Sequence, residues 1–152
     1  MKTVTGNLID LAEAGEFHLI VHGANCWNTM GSGIAREIRA RYPEAYEVDC
    51  ATTAGDYNKL GNYTVMLGKQ FNIVNAYTQY GFNSGGARND VFEYVSFAMI
   101  LQKLAHNYPM CNFGFPLIGQ GLAGGDPVKI MALLEDFSQQ IEGSVTIVLF
   151  GG

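Results

Sequence analysis

The chain has 152 residues, of which 48% are hydrophobic and 15% are charged, and its formal net charge is −5. This composition excludes a disordered chain, and a chain of this length buries roughly 70% of the surface that it exposes when unfolded, which is enough for one core. The acidic balance argues against general nucleic-acid binding, which requires clustered Lys and Arg side chains. We therefore expect a single domain over residues 1–152.

Strand and helix patterns alternate along the first half of the chain. A β-rich run, Phe17–His22, leads into a turn rich in glycine and asparagine from Gly23 to Gly33. Apolar residues then recur at every fourth position from Ile34 to Tyr46, which predicts a helix. Two β-rich runs follow, at Tyr63–Leu67 and Phe71–Tyr77, and predict two neighbouring strands.

Two longer helices are predicted in the second half. The first runs from Asp90 to about His106, because Asp90-x-x-Glu93 has the pattern of a capping box. The second runs from Pro127 to about Ile141, because proline suits the first helical turn and Asp126 suits the N-cap position.

Two apolar runs complete the pattern and decide the fold class. Phe113–Ile118 and Val145–Phe150 are β-rich, and the second is apolar apart from Thr146, as in strands that are buried on both faces. Strands that alternate with helices and are buried on both faces predict an α/β fold with a mixed sheet between helical layers.

Two segments join a strand end, a glycine-rich turn and a helix. They run from His22 to Ala35 and from Pro116 to Asp126. In such turns backbone N–H groups converge on an anion, and the helix that follows contributes its positive end. Two such turns in one crevice suit a diphosphate. Neither has the Gly-Lys-Ser/Thr of a P-loop, and the first lacks Gly-x-Gly-x-x-Gly, so kinase-type and nicotinamide dehydrogenase functions are not supported.

Four motifs in this order resemble the macrodomain family. They are Gly6-Asn7-Leu8, the turn in which Asn25 precedes Met-Gly-Ser-Gly-Ile-Ala, the loop Phe-Pro-Leu-Ile-Gly-Gln-Gly-Leu, and the last strand ending in Phe150. Within the family, His22-Gly-Ala-Asn-Cys and Arg41-Tyr-Pro-Glu-Ala resemble the ADP-ribose-1″-phosphate phosphatase branch. A neighbouring branch, which removes ADP-ribose from proteins or nucleic acid, shares part of this pattern.

The resemblance implies a three-layer α/β/α fold and a site for ADP-ribose or ADP-ribose-1″-phosphate. Asn25 would bind the distal ribose, although it could instead cap its own turn. Asn7 stands where many macrodomains carry Asp, and its carbonyl would accept from the adenine amino group. Phe150 would stack on adenine or would be a core aromatic. The ligand contacts implied are Asn7, Leu8, Ala24, Asn25, Gly31, Ser32, Gly33, Ile34, Ala35, Ile118, Gly119, Gln120, Gly121, Leu122 and Phe150.

Catalytic roles are implied for four residues. Asn25 would orient the distal ribose, and His22 would protonate the leaving oxygen or position water, since a histidine titrates near neutral pH. The alternative for His22 is a half-buried histidine that is hydrogen-bonded to backbone. Asp126 is a candidate general base and Asp90 a secondary candidate, but their predicted capping roles already explain both.

The resemblance leaves three functions open. They are hydrolysis of ADP-ribose-1″-phosphate, removal of ADP-ribose from a modified macromolecule, and binding without catalysis. Macrodomains that cleave ADP-ribose from glutamate or from DNA bases use a Lys near the middle strand and an Asp in the second loop. Here the stretch Tyr77–Tyr80 contains no lysine and residue 123 is Ala, so this lysine-dependent route is not supported. We expect no cofactor or metal, since the three cysteines are few and scattered. We also expect a monomer in the cytoplasm without membrane association.

Overall fold

The computed structural model describes residues 1–82, 92–118 and 124–151. Within them, strands and helices alternate along most of the chain. Their order is β1 (Lys2–Gly6), α1 (Leu8–Glu13), β2 (Leu19–Ala24), α2 (Gly33–Arg41), α3 (Pro43–Cys50), a 3₁₀ turn (Tyr57–Lys59), β3 (Tyr63–Met66), β4 (Asn72–Tyr77), α4 (Tyr94–Asn107), β5 (Phe113–Phe115), α5 (Pro127–Gln140) and β6 (Val145–Phe150). No helix in these ranges is long and apolar enough to cross a membrane.

One six-stranded sheet organises the fold, in the order β1-β6-β5-β2-β4-β3. All neighbouring strands are parallel except β3 and β4, which are antiparallel. The mixed sheet predicted from the sequence is therefore confirmed. Because parallel strands share one direction, the carboxyl ends of β1, β6, β5 and β2 lie at the same edge of the sheet, where α/β proteins bind their ligands.

Helices cover both faces of the sheet. On one face, α4 and α5 pack on a core that includes Phe97, Phe113 and Phe137, and on the other face α1, α2 and α3 pack on a core that includes Ile20 and Ile38. Side chains alternate between the two faces along a strand, so His22 shares the face of Ile20. This alternation directs His22 toward the layer that contains α2 and α3.

The single helix predicted from Ile34 to Tyr46 is wrong, because the chain forms two helices there. Helix α2 ends at Arg41 and α3 begins at Pro43, with Tyr42 between them at φ −133° and ψ 72°. Proline has no N–H to continue the ladder of α2, and its ring excludes the helical conformation from the residue before it. Pro43 therefore ends one helix and starts the next.

The two predicted helix starts in the second half have different outcomes. Helix α5 begins at Pro127 as predicted, and Oδ1 of its N-cap residue Asp126 accepts from Val128 N at 2.9 Å. Helix α4 begins at Tyr94 instead of near Asp90, and the side chain of its N-cap residue Glu93 makes no capping bond. The predicted capping box is therefore wrong in its Glu93 half, and Asp90 lies outside the described residues.

The first strand and helix were not predicted. Strand β1 pairs with β6 alone at the edge of the sheet, and its residues are mostly exposed, so it lacks the apolar alternation that indicates a strand. Helix α1 has only six residues. Strand β5 ends at Phe115, before the predicted limit at Ile118, which leaves Pro116 and Leu117 at the rim of the sheet edge.

Candidate ligand-binding crevice

A crevice of about 450 Å³ opens at the carboxyl ends of β1, β6 and β5. Its lining comes from four places: the turn after β1, the first turns of α2, the segment after β5, and the end of β6. The residues are Gly6, Asn7, Leu8, Gly33, Ile34, Glu37, Pro116, Leu117, Val148 and Phe150. This volume falls within the range of roughly 300–1,000 Å³ that is usual for small-molecule sites.

The N-terminus of α2 borders the crevice, and no side chain among the described residues caps it. Ser32 occupies the N-cap position, but its side chain makes no capping bond, and the first turn holds no acidic residue. Gly33 is exposed and has φ +58°, a conformation that side chains rarely adopt. The N–H groups of the first turn of a helix have no partner within it, so this end of α2 is suited to bind an anion.

Asn25 follows β2 at the same sheet edge and stabilises its own loop. Its Oδ1 accepts from Trp27 N at 2.7 Å, and its Nδ2 donates to Thr29 Oγ1 at 2.6 Å. The alternative in which Asn25 caps its turn is therefore what the structure shows. Both ends of the amide are engaged, so these bonds fix the orientation of the side chain.

The loop after Asn25 adopts conformations that are uncommon for residues with side chains. Asn28 has φ 60° and Met30 has φ 42°. Asn28 Nδ2 donates to Thr52 O at 3.0 Å, and Asn28 Oδ1 accepts from Lys59 Nζ at 2.6 Å. Cys26 O accepts from Gly55 N at 2.7 Å. The loop is thus fastened to the segment between α3 and β3.

Asn7 and Glu37 meet on the wall of the crevice. Asn7 is the N-cap of α1, where its Oδ1 accepts from Asp10 N at 2.9 Å, and its Nδ2 donates to Glu37 Oε1 at 3.0 Å. Arg41 Nη1 also approaches Glu37 Oε1, at 3.4 Å. Glu37 is therefore a carboxylate that faces the crevice with one oxygen held by neighbours.

Phe150 is a surface side chain at the rim, since 77% of it is exposed. The alternative of a core aromatic is therefore excluded. Leu117 faces the same crevice from the segment after β5, and 42% of it is exposed. Together they form an apolar rim that an aromatic ring could cover.

His22 is completely buried and does not reach the crevice surface. Its Nε2 lies 2.6 Å from Asn75 Oδ1, and Asn75 Nδ2 donates to Ala45 O and to Thr64 Oγ1. Because the Asn75 amide nitrogen is occupied as a donor, its oxygen accepts and His22 Nε2 carries the proton. Burial lowers the pKa of His22, since an imidazolium inside the protein loses its hydration. The alternative of a half-buried histidine differs from the structure, because His22 is fully buried and its Nε2 bonds to a side chain.

Asp49 and Tyr77 extend this buried polar group. Tyr77 donates to Asp49 Oδ1 at 2.7 Å and lies 3.0 Å from Thr64 Oγ1. Burial raises the pKa of Tyr77, and the nearby Asp49 carboxylate raises it further. His22 thus belongs to a polar layer beneath α3 that stabilises the packing of the helix on the sheet.

The sequence is 31% identical to the uncharacterised 17.5 kDa protein in the tk–vs intergenic region of Enterobacteria phage T4, and the alignment covers 93% of this chain and 92% of the phage protein. This chain belongs to the same family as that phage protein. No protein-family model matches the sequence.

Solved macrodomains have the same fold. The macrodomain of Thermus aquaticus DarG matches with a TM-score of 0.74 at 17% identity, over 98% of this chain and 97% of that one. DarTG of Thermosipho africanus, solved in complex with ADP-ribose, matches with a TM-score of 0.72 at 16% identity, over 88% of this chain and 38% of its own. The three-layer macrodomain fold implied by the sequence motifs is therefore confirmed.

The crevice gathers only part of the implied ligand set. Asn7, Leu8, Gly33, Ile34 and Phe150 line it. Others lie along the same sheet edge or loop without lining it: Ala24, Asn25, Gly31, Ser32, Ala35 and Ile118. The remaining implied contacts lie outside the described residues: Gly119, Gln120, Gly121 and Leu122. Asp126 Oδ1 caps α5, and Asp90 is likewise outside the described ranges.

Several residues around the crevice were not predicted. Glu37 and Leu117 line it, and Lys59 and Asn28 hold the loop beside it. Glu37 could have been found, because it lies one helical turn after Gly33 on a helix that begins at the site.

Burial raises the pKa of the Cys26 thiol to about 11, which is consistent with an inert buried thiol. Within the described ranges, no cluster of His, Cys, Asp or Glu could hold a metal ion.

Proposed function

We propose that this protein binds ADP-ribose, with the adenine in the crevice between β1, β6 and α2. The observation that carries the proposal is the joining of an apolar rim, Phe150 and Leu117, to the uncapped N-terminus of α2 in one crevice. An aromatic side chain exposed at a rim can stack on a base. The Thermosipho africanus relative in fold was solved with ADP-ribose, which supports the same ligand here.

The diphosphate would lie over the start of α2. The N–H groups near Gly33 supply donors there without any cationic side chain, which is consistent with a chain whose net charge is −5. The distal ribose would then extend toward Asn25, which follows β2, two strands away from β6 in the sheet. In this position the Asn25 amide, held by its bonds within the loop, would offer its second carbonyl lone pair and its second N–H to ribose hydroxyls.

Calorimetry with ADP-ribose tests the binding, and Phe150→Ala tests its location. Because the Phe150 side chain is 77% exposed, its removal costs little stability, whereas loss of a stacked base weakens binding by about 1–3 kcal/mol, or roughly 5- to 150-fold. Leu67→Ala is the matched control, since Leu67 is 76% exposed and follows β3 at the far edge of the sheet. Absence of heat with millimolar ADP-ribose would overturn the proposal, and equal affinity of both variants would overturn the location.

We further propose hydrolysis of ADP-ribose-1″-phosphate as the reaction, supported by the resemblance of the segments around His22 and Arg41 to the phosphatase branch. The burial of His22 assigns it no contact with substrate, so its part in such a reaction is to support β2 beneath the loop. Asn25 would orient the ribose, and water would attack the phosphorus while the ribose oxygen leaves with a proton from solvent.

Phosphate release from ADP-ribose-1″-phosphate tests the reaction. We expect release by the wild type and at least a tenfold decrease with Asn25→Ala, because the ribose loses its orienting amide. A parallel panel of ADP-ribosylated glutamate, serine and DNA tests removal of ADP-ribose from macromolecules. If ADP-ribose-1″-phosphate stays intact and a substrate of this panel is cleaved, that activity replaces the phosphatase proposal. Tight binding with no turnover on any substrate would show that the protein is a reader.

A further inference from the structure

We propose that Lys59 is a positioning residue that holds the loop of residues 25–30 in its ligand-binding conformation. The inference rests on the proposed ADP-ribose site. It assigns a role to Lys59, which contacts the loop but does not line the crevice. Lys59 ends the 3₁₀ turn between α3 and β3, and it lies far from the loop in sequence. Hereafter the loop of residues 25–30 is called the Asn25 loop.

The ammonium group of Lys59 makes its hydrogen bonds to the Asn25 loop. Nζ donates to Cys26 O at 3.0 Å and to Asn28 Oδ1 at 2.6 Å. It also lies 4.9 Å from the centroid of the Tyr77 ring. Only 7% of the residue is exposed. A lysine is seldom buried this deeply unless its charge is compensated.

Burial makes these two bonds strong and their loss costly. An ammonium group removed from water requires hydrogen-bond partners, and hydrogen bonds from a charged donor are stronger than those between neutral groups. Across residues 1–82, 92–118 and 124–151, ion pairs with a carboxylate within 4.0 Å are made by Arg41 and not by Lys59. The two oxygens of the Asn25 loop are therefore the hydrogen-bonded partners that the structure gives to this charge.

The Asn25 loop requires such support because its backbone is strained. Asn28 and Met30 both have positive φ, a conformation that is unfavourable for residues with side chains, and more so for methionine than for asparagine. Asn25 Oδ1 accepts from Trp27 N, which lies between the two atoms that Lys59 holds. A shift of Cys26 or Asn28 therefore changes the orientation of the Asn25 amide.

A second lysine makes the same pair of contacts elsewhere and provides a matched control. Lys103 Nζ donates to Gly61 O and to Asn62 Oδ1, again one backbone carbonyl and one asparagine amide oxygen. Lys103 lies on α4, and its partners directly follow the turn that ends at Lys59, where Asn62 N donates to Lys59 O, so Lys103→Met tests whether loosening this segment alone is enough. Lys103→Met removes a comparable set of bonds without touching the Asn25 loop.

The experiment compares Lys59→Met with Lys103→Met by two measurements. Calorimetry gives the Kd for ADP-ribose at a temperature where urea titration shows every variant to be folded. Amide hydrogen exchange of the free protein gives the opening of residues 26–30 without any ligand. We expect Lys59→Met to raise the Kd at least tenfold and to speed exchange in the Asn25 loop. Lys103→Met should leave the Kd within twofold and leave exchange in this loop unchanged.

Two further variants keep the inference testable if Lys59→Met does not fold. Lys59→Gln retains an N–H donor without the charge and should give an intermediate loss of affinity. Asn28→Gly keeps the positive φ but removes one partner of Lys59, so its effect on Kd should add less than fully to that of Lys59→Gln. Full additivity would contradict a shared contact.

The outcomes separate this inference from the proposed function. If Lys59→Gln leaves both the Kd and the exchange of the Asn25 loop as in the wild type, Lys59 is not a positioning residue. If the wild type does not bind ADP-ribose, the proposed function is wrong, and the exchange measurement still decides whether Lys59 holds the loop.

Discussion

The side-chain amide of Asn7 donates to Glu37 Oε1 across 3.0 Å, so the residue that caps α1 also joins it to α2. Many macrodomains carry Asp at the position of Asn7. An aspartate here would place a second carboxylate against Glu37, whereas the amide supplies a donor. The identity of residue 7 is therefore coupled to the presence of a glutamate on α2.

Asn7→Asp should reduce the free energy of unfolding at neutral pH by about 1–2 kcal/mol. The substitution removes one hydrogen bond to a charged acceptor and adds repulsion between two like charges. In a Glu37→Gln background the same substitution should cost much less, because the amide introduced on α2 can donate to the new carboxylate. Urea titration of the four proteins measures this coupling. Equal costs in both backgrounds would show that Asn7 and Glu37 do not interact.

The buried His22 should make stability decrease with pH below about 6.5. Burial lowers its pKa in the folded protein, so as pH falls through the ordinary histidine value the unfolded chain takes up a proton that the folded protein does not. This difference favours unfolding by at most about 1.4 kcal/mol per pH unit until the folded-state pKa is reached. Above the ordinary value the stabilisation is fully present.

His22→Gln should therefore flatten the dependence of unfolding free energy on pH between about 5 and 6.5, even if the variant is less stable overall. His106→Gln, at an exposed position, is the control and should retain the wild-type slope. Carboxyl groups titrate in all three proteins, so the comparison isolates the histidine. Identical slopes for His22→Gln and the wild type would mean that folding does not lower the pKa of His22.

Trp27 should report ligand binding by fluorescence. It is the single tryptophan of the chain, its backbone N–H donates to Asn25 Oδ1, and its indole packs edge-on against Tyr80 at 5.6 Å. If a ribose binds the Asn25 amide, it lies beside Trp27 and changes the environment of the indole. Titration with ADP-ribose should give a saturable emission change with the calorimetric Kd. Binding without any change would show that the ligand does not reach the Asn25 loop.

Much of the fold could be predicted because its signals are local. The strand Val145–Phe150 is apolar along most of its length, and Asp126-Pro127 marks a helix start that the structure reproduces. Pro43 is a signal for the boundary between α2 and α3. Apolar residues nevertheless continue at every fourth position across this boundary, so the pattern predicts one helix. Strand β1 could not be found in this way, because its formation depends on pairing with a strand at the other end of the sequence.

The part of the candidate site that is formed by backbone groups could be predicted from the sequence, whereas the part that depends on buried side chains could not. Glycines beside Ile34 indicate an anion site because glycine-rich turns leave N–H groups unpaired. The complete burial of His22 could not be predicted, because a strand end near a loop does not reveal which face of the sheet the side chain occupies. Lys59 gave no signal, since its partners are oxygens brought near by the fold alone.

The register of the first and last strands determines when the crevice can exist. Gly6 and Phe150 are paired partners across β1 and β6, and both line the crevice. One wall is therefore made by segments from opposite ends of the described sequence, which is a contact of very high sequence separation and slow to form during folding. Until β6 has been synthesised and has paired with β1, this wall is absent. Binding of a nucleotide by this protein would therefore show that β6 has joined the sheet.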